Sequence, residues 1–194
     1  MALTSEFWEQ RYEQQLTSWD RGAPSPALDH WLEAGLRPPK RVLVPGCGNG
    51  YEVVELSRKG FEVVALDYVT SPLAFLACQL YGQDLAATLV HANALEWKAS
   101  RPFDAVYEQT MLCALPPEFW PEYAQQLHGW LKPQGIWLAS LLQTGEPDGP
   151  PYDCAPDKVR AIFPETHWEW PTQWEELTHP MGYRELLGKF VRRP

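Results

Sequence analysis

One segment fixes much of what this chain can fold into: Val42-Leu43-Val44-Pro45-Gly46-Cys47-Gly48-Asn49-Gly50-Tyr51-Glu52. An apolar run suited to a strand meets three glycines within five residues and passes directly into a helical pattern. Glycine tolerates positive φ and lets the backbone approach a ligand with no side chain in the way. A strand, a tight glycine turn and a helix in that order open an α/β sheet. The spacing is G-x-G-x-G, whereas dinucleotide sites use G-x-G-x-x-G.

The rest of the chain repeats the alternation. Strands are expected over residues 41–44, 61–66, 87–91, 103–107 and 135–142, with helices over 51–59 and 72–81 between them. A further helix opens at Pro116-Pro117, and its Trp120, Tyr123, Ala124, Leu127 and Leu131 share one face. This order implies a parallel sheet with right-handed crossovers. Ahead of the sheet, Phe7, Trp8, Tyr12 and Leu16 predict an amphipathic helix over 5–16. A second helix over 25–34 has Pro26 in its first turn and Gly35 past its end. Residues 143–154 hold three prolines and two glycines and read as a loop, followed by a short helix over 157–163. Near the C-terminus, Trp168, Trp170 and Trp174 precede the run 183–191, and the two parts should pair antiparallel around His179-Pro180-Met181-Gly182. The 194 residues therefore read as one domain, 1–194, with a helical segment 1–38 leading into a core 39–194.

Charge and cysteine usage exclude several function classes. A formal net charge of -9, with a short basic cluster at Arg192-Arg193, argues against a nucleic-acid partner, which needs a Lys/Arg face. Cys47, Cys78, Cys113 and Cys154 lie far apart with no CxxC pair, so free thiols in a reducing compartment are expected, with no metal site. No apolar run of membrane-spanning length occurs. These features give the expectation of a cytoplasmic monomer with a small-molecule partner and no membrane contact. The ten tryptophans fit either a core or the wall of a ligand pocket.

Asp67 ends the second strand, near the ~20-residue offset at which a carboxylate meets the ribose hydroxyls of an adenosine cofactor. The bland readings are a simple strand-to-helix turn for Gly46 to Gly50 and a helix cap for Asp67. Adenosine is common to two sharper readings, a nicotinamide dehydrogenase and a methyltransferase, and the glycine spacing disfavours the first.

Several segments together resemble class I methyltransferases, and more narrowly the thiopurine S-methyltransferase family with its halide/thiol methyltransferase branch. They are Trp8 with Tyr12, Trp19-Asp20-Arg21-Gly22, Val44-Pro45-Gly46-Cys47-Gly48, Leu66-Asp67, Phe103-Asp104, Cys113-Ala114-Leu115-Pro116-Pro117-Glu118, Leu131-Lys132-Pro133-Gln134-Gly135 and Gly149-Pro150-Pro151-Tyr152. The resemblance implies a Rossmann-like α/β fold: a seven-stranded, mostly parallel sheet in the order 3-2-1-4-5-7-6, with an antiparallel C-terminal strand and an N-terminal helical lid. It also implies S-adenosyl-L-methionine as cofactor and S-adenosyl-L-homocysteine as product. Carried over by motif, the cofactor-binding residues are Trp8, Tyr12, Trp19, Pro45, Gly46, Cys47, Gly48, Asp67, Tyr68, Asn93, Ala94 and Glu108. The nearest branch commonly has an aspartate at the position of Asn93 and a tyrosine at that of Gln109.

The reaction so implied is an in-line displacement at a sulfonium methyl group, governed by alignment and desolvation. A thiolate, thiopurine, hydrosulfide or halide arrives anionic and needs no general base. None of the five histidines lies in the 108–118 segment, which fits such an acceptor. Trp19, Asp20 and Tyr152 are the expected catalytic residues, with Trp19, Tyr12 and Tyr152 as an aromatic lid toward the sulfonium. Asp20 either orients the nucleophile or pairs with Arg21, and Cys113 packs beneath the site. The alternatives are an O- or N-methyltransferase of a small metabolite and an inactive cofactor-binding protein. Asp67→Ala should weaken S-adenosylmethionine binding at least several-fold in calorimetry while the protein stays folded; unchanged affinity would refute the ribose assignment.

Overall fold

A computed structural model describes residues 4–194. Residues 1–3 of the expected N-terminal segment lie outside the described residues. Five strands lie parallel: β1 (Arg41–Pro45), β2 (Glu62–Asp67), β3 (Thr88–His91), β4 (Phe103–Gln109) and β5 (Leu131–Gln143). On the far side of β5 come β6 (Trp168–Glu169), β7 (Glu175–Thr178) and β8 (Arg184–Arg192), all antiparallel to their partners. The order is β3-β2-β1-β4-β5-β8-β6, and β7 also pairs with β8. This is the expected Rossmann-like order with eight strands where seven were predicted. The edge strand is split in two because Pro171, between Trp170 and Trp174, has no N–H to give to the ladder.

Alternation within the strands gives the sheet two buried faces. Leu43, Val64, Leu66 and Val106 point into one core, and Val42, Val44, Val63 and Ala65 into the other. The first core is covered by α5 (Trp120–Trp130) through Tyr123, Ala124, Leu127 and Trp130, and by α6 (Pro156–Ile162) through Val159. The second is covered by α2 (Pro26–Glu33), α3 (Tyr51–Arg58) and α4 (Thr70–Gly82), led by Leu28, Trp31, Leu56 and Leu76. The tryptophan excess serves both expected uses. Trp31, Trp120, Trp130, Trp137, Trp168 and Trp170 are buried in the cores, and the Trp137 ring stacks 4.5 Å from Phe163 and 4.4 Å from Phe190.

Several element boundaries differ from the sequence expectation, and four of these differences have a clear local cause. The first helix, α1 (Ser5–Glu13), stops before Gln15, whose φ is +57°, so Leu16 is exposed and does not join the apolar face. α4 begins two residues early because the Glu9 carboxylate accepts from the amides of Thr70 and Ser71. β4 runs on to Gln109, paired with Ser140 of β5. Leu131 leaves the α5 face and opens β5, since Pro133 cannot continue a helix. No helix among the described residues is long and apolar enough to cross a membrane.

Candidate active site

The carboxyl ends of β1, β2 and β4 open into a cavity of about 290 Å³, the place where open α/β sheets hold ligands. Its floor is the turn from Pro45 to Gly50. Gly46, Gly48 and Gly50 all have positive φ, and at two of them the protein itself excludes a side chain: a Cβ would lie 2.5 Å from the sulfur of Met111 at Gly46, and 2.5 Å from Leu76 at Gly50. At Gly48 a Cβ would lie 2.8 Å from the Tyr12 hydroxyl. The glycines thus seat the turn against β4, α4 and the N-terminal segment as well as open it to a ligand.

Asp67 holds this turn. Its Oδ2 accepts from the Gly48 N–H at 2.9 Å and its Oδ1 from the Val69 N–H at 3.0 Å. Burial pushes its carboxyl above the ordinary aspartate range, against the pull of those amides. Both the ribose and the cap reading of Asp67 therefore meet a carboxylate already tied to the turn. The cap of α4 falls instead to Glu9.

The N-terminal segment closes the cavity from above. The Trp19 ring stands edge-on to Trp8 and Tyr12, with centroids 5.4 and 5.9 Å away, and all three line the cavity. Asp20 accepts from the Gly22 N–H at 2.6 Å and from the Asn49 side-chain amide, latching this segment to the glycine turn. Its expected alternative partner, Arg21, pairs with Glu185 of β8 at 2.5 Å. Tyr68 lines the cavity beside Asp67, and its hydroxyl is pushed up to about 12 by burial and the adjacent charge.

Most of the expected site residues converge here: Trp8, Tyr12, Trp19 and Asp20 from the N-terminal segment, Pro45 to Gly48 from the turn, and Asp67, Tyr68 and Ala94 from the next two strand ends. Three do not line the cavity. Asn93 turns its Oδ1 to the Leu95 N–H at 3.0 Å, while Ala92 and Ala94 beside it face the cavity. Tyr152 lines a neighbouring cleft with Pro117 and Trp120, and Pro150 and Pro151 reach the cavity in its place. Glu108 is fully buried: Oε1 accepts from the Met111 and Leu112 amides at 3.0 Å, and Oε2 from the Trp137 indole at 3.2 Å. Gln109, one residue on, occupies the wall.

The structure adds residues that the motifs did not reveal. Arg11 lines the cavity; its guanidinium lies 4.3 Å over the Phe7 ring, and its Nε is buried with no hydrogen-bond partner among the described residues. Thr110 has φ +59° at the end of β4, a conformation that non-glycine residues retain mainly where the surroundings impose it, often at functional sites. Beyond it lie Met111, then Leu142, His179 and Met181, together with Cys113, which the sequence placed beneath the site and which lines the cavity. Behind this wall Glu185, fully buried, accepts from Arg21, from Gln109 at 2.8 Å and from the Ser140 hydroxyl. A charged residue preceding Leu186-Leu187 in a buried strand was the one signal in the sequence for this network.

Sheet order, glycine turn and cavity together define a class I S-adenosylmethionine-dependent methyltransferase. The crystal structure of the 1,6-didemethyltoxoflavin-N1-methyltransferase of Burkholderia thailandensis, with bound 1,6-didemethyltoxoflavin and S-adenosylhomocysteine, shares the fold. The TM-score is 0.80 at 19% identity, over 98% of this chain and 87% of that one. The family model of thiopurine S-methyltransferase matches residues 3–179, and the chain belongs to that family. Thiocyanate methyltransferase 1 of Arabidopsis thaliana is 34% identical over 183 residues, covering 92% of this chain and 74% of that protein. A thiopurine S-methyltransferase of Legionella pneumophila is 29% identical over 175 residues, covering 81% and 79%.

The residues present fit the cofactor. An aromatic wall of Trp8, Tyr12 and Trp19 suits a sulfonium, whose attraction to ring faces is worth ~0.5 to 2 kcal/mol. The unpartnered Arg11 Nε is a cationic donor for a carboxylate.

Glu108 gives this site a pH signature. Burial pushes its carboxyl up to about 7, from 4.5, although three N–H donors pull it down. A carboxyl raised on folding binds its proton more tightly in the native state, so its contribution to stability is lost as pH rises from the unfolded value toward the folded one. In urea titrations the wild type should lose on the order of 3 kcal/mol relative to Glu108→Gln between about pH 5 and 8. A pH-independent difference would show that Glu108 is ionised throughout.

Proposed function

We propose that this chain transfers the methyl group of S-adenosylmethionine to a small, soft nucleophile that arrives as an anion: a thiolate, a thiopurine, hydrosulfide or a halide. The observation that carries this reading is that each acidic or imidazole acceptor around the cavity already takes a hydrogen bond from the protein. Asp20 accepts from Gly22 and Asn49, Glu52 from the Ser25 N–H at 2.8 Å, and Asp67 from Gly48 and Val69. Glu185 is held by Arg21, Gln109 and Ser140, and His179 Nδ1 accepts from the Met181 N–H at 3.2 Å. A neutral alcohol or amine would need one of these groups, each already holding the fold in place, to serve as its base as well. An anionic acceptor needs only alignment, which supplies ~7 to 11 kcal/mol of a barrier when reacting atoms are well placed.

The remaining wall supports the same acceptor class. Met111, Cys113, Leu115 and Leu142 present polarizable or apolar surface. Burial raises the Cys113 thiol well above its ordinary range, and its Sγ donates to the Thr110 carbonyl at 3.2 Å, so it is wall and not nucleophile. Bound S-adenosylmethionine supplies the electrophilic methyl group. Trp19, Tyr12 and Trp8 shield it from water, Asp20 keeps their segment latched to the turn, and Asp67 keeps the turn in place. We further infer a single domain over 1–194 with residues 1–38 as lid, acting as a monomer in the cytoplasm, where Cys47, Cys78, Cys113 and Cys154 remain free thiols.

A steady-state panel of hydrosulfide, iodide, thiophenol and a thiopurine tests the proposal. Turnover is expected with these acceptors, and its rate with thiophenol should follow the thiolate fraction. Activity confined to alcohols or amines would contradict it.

A further inference from the structure

The cavity has one end that the cofactor motifs do not account for. It is built from the end of β4, from Leu142 of β5 and from the β7–β8 loop, which brings in His179 and Met181. His179 is 2% exposed, yet it lines the cavity. Its Nδ1 accepts from the Met181 N–H, and its Nε2 is buried with no hydrogen-bond partner among the described residues. An imidazole whose Nδ1 accepts carries its proton on Nε2 when neutral. Burial lowers its basicity and favours that neutral form, although Glu185 pulls the other way. The result is a fixed N–H donor with nothing to donate to, a condition that native interiors rarely leave uncompensated.

The neighbours do not satisfy it. The obvious acceptor is Glu185, but one of its oxygens is taken by Arg21 and the other by Gln109 and Ser140. Arg21 also donates to the Thr178 carbonyl at 3.0 Å, the residue just before His179, which pins the loop from behind. The other unpartnered donor on the cavity wall, Arg11 Nε, belongs to α1, beside the aromatic cover.

We propose that His179 is an acceptor-positioning residue whose Nε2–H donates a hydrogen bond to the anionic nucleophile and selects for acceptors that arrive unprotonated. This inference rests on the acceptor class proposed above and adds the group that recognises it. With Nδ1 committed to Met181, the ring donates at Nε2 and has no free lone pair with which to take a proton. It therefore rewards a thiolate, hydrosulfide or halide and cannot take the proton that a neutral amine or alcohol would have to lose. The donor is buried, and there an unmet N–H costs more than in water and a bonded one contributes more.

The test uses the full chain saturated with S-adenosylhomocysteine and titrated with iodide and with hydrosulfide in a calorimeter, for wild type, His179→Leu and His179→Gln. The Gln amide nitrogen can reproduce the Nε2 donor. We expect His179→Leu to weaken both anions by about tenfold or more and His179→Gln to recover most of the loss. Affinity for S-adenosylhomocysteine should be equal in all three, and the loss in hydrosulfide turnover should appear mainly in KM. In wild type carrying ¹⁵N-labelled histidine, iodide should shift the His179 Nε2 resonance and leave the other histidines in place, a readout that does not depend on any variant folding. Unchanged anion affinity in His179→Leu, no anion binding by wild type or an unmoved Nε2 resonance would each overturn the proposal. Anion binding that depends on His179 without methyl transfer would instead sink the proposed function and leave this inference standing.

Discussion

The site depends first on the bond from the Gly48 amide to the Asp67 carboxylate, 2.9 Å long, with the same carboxylate taking the Val69 amide. β1 and β2 are adjacent parallel strands, so their carboxyl ends emerge side by side, but a ladder of backbone bonds does not fix the shape of the turns beyond it. The carboxylate does. It ties the turn after β1 to the start of the connection after β2, and the positive φ of Gly46, Gly48 and Gly50 lets the turn take that path. A buried carboxylate is stable there because the amides meet it, and the Gly48 and Val69 amides are in turn oriented by it.

The N-terminal segment is then fastened to three parts of the core by polar contacts, not by a deep apolar face; α1 has no fully buried residue. Glu9 caps α4, Asp20 holds Asn49 of the turn, and Arg21 reaches Glu185 in β8. These fastenings surround the aromatic cover of Trp8, Tyr12 and Trp19. The segment thus covers the cavity without a deeply buried apolar anchor in α1, an arrangement suited to opening for ligand exchange. On the opposite wall, the Arg21–Glu185–Gln109 network sets the β7–β8 loop, which brings His179 to the cavity lining with its buried Nε2 unpartnered among the described residues.

Much of this was legible in the chain because it is local. Strand, turn and helix at residues 41–58 follow from the glycines and the apolar run, and the C-terminal antiparallel pairing follows from the short loop through His179 to Gly182. Family motifs carried Trp8, Tyr12, Trp19 and Asp67 to one place. What was not legible is where a side chain turns within a correctly placed element. Glu108 and Gln109 are neighbours on β4, and alternation sends the first into the core under Trp137 and the second to the cavity. Tyr152 comes after two prolines that do line the cavity, yet its own ring faces the adjacent cleft. Which long-range partners meet was not legible either: Glu185 stood out as a charge in a buried strand, but its pairing with Arg21, like that of Glu9 with Ser71, is set by the assembled sheet.

One cavity, on this account, holds the cofactor on the Gly46 to Gly50 turn and an anionic acceptor against the β4 and β7–β8 wall. A crystal structure with S-adenosylhomocysteine and iodide, using the anomalous signal of iodide, tests this most directly. Adenosine is predicted over Asp67 and the turn, with an iodide peak within the cavity between Trp19 and His179. Iodide confined to the outer surface, or a cofactor bound away from the turn, would contradict it.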